Sequence, residues 1–119
     1  MSDFQDRHVL ITGGTRGIGR ALAERLASEG ANVTLSYLSR EEDAVKAADA
    51  IKERGGKVAI VRGDVSQPED AATIVAAARE AFGPIDMLAH AAGLSTPMPA
   101  TEVTWEVWKR ELAVNLDGT

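Results

Sequence analysis

The sequence contains no cysteine, which excludes disulfides and thiolate metal sites and fits a reducing compartment. No apolar run approaches the ~20 residues that a membrane-spanning helix needs. Met1 to Gln5 carry neither the basic start nor the apolar stretch of a secretory leader. A cytoplasmic chain with no membrane partner and no metal site is expected. Cationic charge is also scarce, because 13 Lys and Arg stand against 18 Asp and Glu and leave a net charge of −5. Broad nucleic-acid faces neutralise phosphates with clustered Lys and Arg, so no nucleic-acid partner is expected. Any phosphate held here is a small one, bound locally. No linker, repeat or low-complexity stretch divides the 119 residues, a length that suits one domain with a real core and is too short for two.

The richest stretch is Leu10 to Gly19. Val9, Leu10 and Ile11 form an apolar run without polar alternation, and glycines follow at 13, 14, 17 and 19 before an amphipathic segment opens. That order reads as a buried strand, a tight turn and a helix start. Glycine lets the backbone turn sharply and come close to a ligand, while the free amides and positive dipole end of the helix attract an anion. A diphosphate is the natural guest. Gly13, Gly17 and Gly19 follow a T-G-x-x-x-G-x-G spacing, a longer variant of the G-x-G-x-x-G device, and Thr15, Arg16 and Ile18 fall inside the same turn. The bland alternative is an ordinary glycine-rich turn.

Helix-like and strand-like segments then alternate, the mark of a parallel sheet covered by helices. The spacing predicts a helix burying Ile18, Ala21, Leu22 and Leu26, capped at Gly30, and a second strand from Ala31 to Tyr37. Ser39 to Glu42 has the S-x-x-E spacing of a capping box ahead of a helix that buries Ala44, Val45, Ala48 and Ile51. A third strand, Val58 to Val61, leads to a second such box at Ser66 to Glu69, with Pro68 early in a helix that buries Ile74, Val75, Ala78 and Phe82. A fourth strand over Ile85 to His90 runs into Ala91-Ala92-Gly93. A last helix from Thr104 puts Trp105, Trp108, Leu112 and Leu116 on one face, read as core or subunit contact.

A dinucleotide site that prefers NAD(H) usually places an acidic residue about 20 positions beyond the glycines, to hold the ribose 2′-hydroxyl. Counting on from Gly19 gives Tyr37, Leu38, Ser39 and Arg40, with no carboxylate. Ser39, Arg40 and Arg16 could instead bind a 2′-phosphate, so NADP(H) is expected over NAD(H). Arg40 as a plain solvated helix-start residue, or Glu41 or Glu42 swinging to the ribose, are the alternatives.

These residues resemble the short-chain dehydrogenase/reductase family, in particular its 3-oxoacyl-carrier-protein reductase type. Thr12-Gly13 through Gly17-Ile18-Gly19 matches the family's cofactor motif, Asp64-Val65 its acidic pair after the third strand, Ala91-Ala92-Gly93 the end of its N-x-A-G motif, and Asn115 the structural and catalytic Asn of the following helix. The resemblance implies a Rossmann-type, doubly wound α/β sheet of strand order 3-2-1-4. It also implies that Asp64 binds the adenine amino group, that Val65 lines the adenine pocket, and that Ala91 to Gly93 pass the ribose and nicotinamide. Asp64 as a simple cap and Ala-Ala-Gly as a small-residue turn stay open. His90 stands where the family usually has Asn. It is counted with the cofactor-site residues, in a structural role through its donor and acceptor nitrogens.

The family's chemistry resembles acid catalysis by a Tyr, with a Lys four residues on and a Ser orienting the carbonyl of a small carbonyl, alcohol or acyl substrate. Here the one Tyr is Tyr37, and Glu41 stands four residues later. The expectation is therefore the N-terminal part of a reductase, truncated before the catalytic Tyr, Lys and Ser and inactive alone. Its fourth strand would be an apolar edge, which predicts a homo-oligomer. A non-catalytic nucleotide-binding module or an assembly fragment is the other reading.

Overall fold

A computed structural model describes residues 2–119. Four parallel strands form one sheet in the order β3-β2-β1-β4: β1 His8–Thr12, β2 Asn32–Tyr37, β3 Lys57–Arg62 and β4 Met87–His90. The helices between them are α1 Gly17–Ser28, α2 Glu41–Glu53 and α3 Pro68–Phe82. After β4 come a 3₁₀ turn Ala100–Glu102, helix α4 Trp105–Leu112 and a π-helical segment Ala113–Asp117. This is the Rossmann-type α/β arrangement expected. No helix among the described residues is long and apolar enough to cross a membrane.

β1 is buried at all five positions because both its faces are covered. Successive side chains alternate, so Val9 and Ile11 pack with Val33, Leu35, Leu26 and Ile51 on the α1/α2 side, and Leu10 packs with Ile74 and Ala78 of α3 on the other. The α3 side also takes polar groups. His8 is 1% exposed; its Nδ1 faces the Gly83 and Pro84 carbonyls at 3.1 and 3.2 Å, and its Nε2 lies 2.8 Å from Thr34 Oγ1. Carbonyls only accept, so in the neutral ring Nδ1 donates to them and Nε2 accepts from the Thr34 hydroxyl.

Helices α1 and α2 end alike. The Gly30 amide donates to Ala27 O and the Ala31 amide to Leu26 O, while the Gly55 amide donates to Lys52 O and the Gly56 amide to Ile51 O. Both are Schellman closures built on a glycine just past the helix, as the expected cap at Gly30 required. Pro68 begins α3, where its missing N–H costs no bond.

Several expectations are corrected. Ile18 is 85% exposed and Ala21 is exposed, because the buried face of α1 is Gly19, Ala23, Leu26 and Ala27. Val45 and Val75 are likewise exposed, whereas Ala44, Ala48, Ile51, Ile74 and Ala78 are buried as expected and Ala47 joins them. Small residues let these helices sit close to the sheet, so bulk alone misleads about the face. Neither capping box forms: Arg40, with φ 60°, heads α2, Gln67 heads α3, and neither gives a side-chain cap. Trp105 and Trp108 are not core, being 64% and 53% exposed. α4 buries none of its eight residues and is held by polar contacts at its C-terminal end.

Candidate functional site

The turn from β1 into α1 is shaped by contacts that exclude a Cβ. Gly13, with φ 63°, lies against the backbone of Ala92, where a Cβ would come within 2.8 Å of both N and Cα. A Cβ on Gly19 would collide with the Gly13 carbonyl oxygen. The Ala91 amide donates to Thr12 O at 3.0 Å, so the turns after β1 and β4 are fastened together. At the head of α1 the amides of Gly17, Ile18 and Gly19 have no preceding turn to accept them. Arg16 offers no side-chain cap, and no acidic residue stands in the first turn. This end of the helix is open to an anion and has nothing that repels one.

The turn forms one wall of a cavity of about 390 Å³ at the carboxyl ends of the strands. β1 lies between β2 and β4 there, the point where strand order reverses and where open α/β sheets hold their ligands. Every cofactor-site residue singled out from the sequence lines this cavity except Arg40 and His90. Ile18, misjudged as core, belongs to its mouth. Arg40 lies outside, with its Nη1 3.9 Å from Asp43 Oδ2.

Asp64 lines the cavity and closes a local turn in which its Oδ1 accepts from the Ser66 amide at 2.9 Å and the Ser66 hydroxyl at 2.6 Å. The Ser66 hydroxyl, assisted by the Ser66 amide and the Arg110 guanidinium, holds the Asp64 carboxyl below the usual carboxylate range against an opposing desolvation. The helix-capping alternative for this residue fails, since α3 starts at Pro68 without a side-chain cap.

Asn115 sits in the π-helical segment, a widened turn common at functional sites. Its Nδ2 donates to Leu94 O and its Oδ1 accepts from Leu94 N, both at 2.8 Å. With both ends of the amide engaged, Asn115 braces the Gly93-Leu94 wall from behind. His90 is also one step back. Its Nδ1 is 2.7 Å from Thr12 Oγ1, which in turn accepts from the Ala92 amide at 3.3 Å. A hydroxyl that accepts from Ala92 is left to donate to Nδ1, so the ring ties β4 to β1 through that one nitrogen, while its buried Nε2 has no partner among the described residues.

A sequence model described as short chain dehydrogenase matches residues 7–119. The chain belongs to this family. Among other short-chain dehydrogenases, 3beta-hydroxysteroid dehydrogenase 1 of Eggerthella lenta is 38% identical over 116 residues, covering 98% of this chain and 44% of the relative. Glucose 1-dehydrogenase 2 of Bacillus subtilis is 35% identical over 119 residues, with 98% of this chain and 46% of the relative covered. A solved short-chain dehydrogenase/reductase from Serratia marcescens superposes with a TM-score of 0.91 at 35% identity, covering 97% of this chain and 47% of that one. The chain thus spans about half the length of the relatives it matches. Short-chain dehydrogenases are oxidoreductases that use nicotinamide cofactors.

Ser36, Gly63, Leu94, Val114 and Arg110 line the same cavity without having been marked by the sequence, and of these Arg110 alone is charged. Arg110 lines the cavity and reaches Asp64 Oδ2 at 3.3 Å. No local pattern marks it, because its partner lies 46 positions earlier.

Proposed function

We propose that this chain is an NADP(H)-binding domain serving hydride exchange between a nicotinamide and a carbonyl or alcohol carbon of a small organic or acyl substrate. The observation that carries the reading is the open amide-lined turn, with glycines packed too closely for any Cβ, on a cavity at the strand-order reversal. A nicotinamide coenzyme supplies or accepts the hydride when bound. In this proposal the chain's own groups bind and orient. The Gly17, Ile18 and Gly19 amides hold the diphosphate, Asp64 accepts from the adenine amine, and Val65 lines the base. The Ala91 to Gly93 backbone flanks the ribose and nicotinamide, and Asn115 keeps that wall in place. The two relatives are named as dehydrogenases of unlike compounds, a hydroxysteroid and glucose, which supports the reaction class and leaves the substrate open.

The preference for NADP(H) rests on charge. Leu38 and Ser39 follow β2 with no carboxylate until Glu41, whose Oε1 lies 3.5 Å from the Tyr37 hydroxyl, and Arg16 and Ser39 both line the cavity. A charge-assisted hydrogen bond is worth about 1.5 to 3 kcal/mol, and tenfold in affinity takes about 1.4. Fluorescence titration is expected to show NADPH bound roughly tenfold to a hundredfold more tightly than NADH. Arg16→Ala should remove most of that margin and Arg40→Ala, outside the cavity, less. Equal affinities in the wild type contradict the preference.

A purely binding role for these 119 residues is favoured by one observation: no Tyr is followed four residues later by Lys, and Tyr37 is buried in β2. NADPH binding without oxidation is the corresponding result. Oxidation that is lost on changing Asn115 overturns it. Self-association completes the proposal, supported by β4, which among the described residues pairs with β1 alone and exposes Leu88, and by the exposed Trp105 and Trp108. Sedimentation should show concentration-dependent dimers or larger species; monomer alone at high concentration contradicts it.

A further inference from the structure

Arg110 comes from α4, and its Nη1 reaches two acceptors on the turn between β3 and α3: Asp64 Oδ2 at 3.3 Å and Ser66 Oγ at 3.2 Å. The Ser66 hydroxyl donates onward to Asp64 Oδ1 at 2.6 Å. Guanidinium, hydroxyl and carboxylate therefore close a ring that spans both carboxylate oxygens. An isolated surface ion pair leaves a carboxylate free to rotate, whereas contacts to both oxygens fix its plane. The turn beneath is pinned as well, by the Asp64 amide donating to Asp70 Oδ2 at 2.8 Å.

A carboxylate has about four acceptor positions. Ser66 takes two on Oδ1, from its amide and its hydroxyl, and Arg110 takes one on Oδ2. One position on Oδ2 is left, on a residue that lines the cleft. A held carboxylate with one vacant acceptor suits a ligand donor and is mismatched to a ligand acceptor, whose lone pair would face its negative charge.

We propose that Arg110 is a positioning residue for base recognition: by closing the ring with Ser66 it orients Asp64 so that the site selects a base bearing an exocyclic amine over one bearing a carbonyl. The inference rests on the nucleotide reading above and adds to it the residue that makes base selection possible. It also links the selecting carboxylate to α4, the helix that leads into Asn115.

The test compares NADPH with its hypoxanthine counterpart, in which a carbonyl replaces the adenine amine, by equilibrium titration of the 119-residue chain. Wild type is expected to prefer NADPH by about tenfold or more, the scale of one charge-assisted hydrogen bond. Arg110→Met keeps the aliphatic stem and is expected to bring the ratio to within about threefold, mainly by weakening NADPH, while Arg110→Lys, a point charge without the fork, should restore part of it. Ser66→Ala opens the ring without touching the cation and should lower the ratio too, which keeps the test decisive if the methionine variant folds poorly. A bracing role alone would weaken both nucleotides equally, so an unchanged ratio in Arg110→Met and Ser66→Ala overturns the proposal. A wild-type ratio near one does the same. Failure of wild type to saturate with either nucleotide removes the nucleotide reading itself, and this inference with it.

Discussion

Gly13→Ala is expected to weaken NADPH binding by about a hundredfold and to lower stability by several kcal/mol. Two physical costs coincide at this position. A residue with a Cβ in the left-handed region costs roughly 1 to 2 kcal/mol, and Gly13 has φ 63°. The new methyl would also lie 2.8 Å from the Ala92 backbone, which has no flexible side chain to move aside, and crowding of this kind costs typically 1 to 3 kcal/mol. The chain can relieve the clash only by parting the turn after β1 from the turn after β4, and those turns are two walls of the cavity. A hundredfold corresponds to about 2.7 kcal/mol, within the sum of the two terms. Gly17→Ala is the control for stability: its φ is 57°, yet no protein atom lies within 4 Å of the added carbon, so only the conformational cost applies to folding. Titration and thermal unfolding of both variants separate the terms. Gly13→Ala binding within about threefold of wild type would show that the contact between the turns does not shape the site.

Leu35→Ala should lower stability by about 2 to 5 kcal/mol, the range for emptying a fully buried leucine position. Leu35 is 0% exposed in β2, paired with Ile11 of β1 and Ile60 of β3. It also packs beneath the turn after β1, where a Cβ on Gly14 would come 2.9 Å from Leu35 Cδ2. Domains of this kind are stable by only about 5 to 15 kcal/mol. Urea denaturation should show a lower midpoint with an unchanged slope, accompanied by weaker nucleotide binding as the turn loses its support. Ile18→Ala, at 85% exposure, should leave the midpoint nearly unmoved. A midpoint for Leu35→Ala close to wild type would mean that the turn does not depend on this packing.

The order of strands and helices and the position of the glycine turn were legible because both are written locally. An apolar run without alternation marks a strand covered on two faces, and clustered glycines mark a backbone that must bend where no Cβ fits. Helix faces were less legible. Ile18 carries the bulk that normally points inward, but it stands in the first turn, beyond the sheet's end and beside the cavity. Val45 and Val75 fall outside buried faces made largely of the expected alanines, whose small size permits close helix–sheet approach. Both S-x-x-E spacings misled for a different reason. Arg40, in the left-handed conformation, and Gln67 take the N-cap positions, so each serine stands one residue too early to cap. Arg110 and His8 were out of reach altogether, since their roles come from partners brought near only by the sheet.

Binding of the coenzyme diphosphate by the amides opening α1 is the proposal on which the other assignments depend. The most direct measurement is a titration of the ¹⁵N-labelled chain with NADPH, following backbone amide resonances. Gly17, Ile18 and Gly19 are expected to move furthest and saturate together, with Asp64, Val65 and Ala91 to Gly93 responding in the same titration. Unmoved resonances at all three, with changes clustered elsewhere or absent, would contradict it.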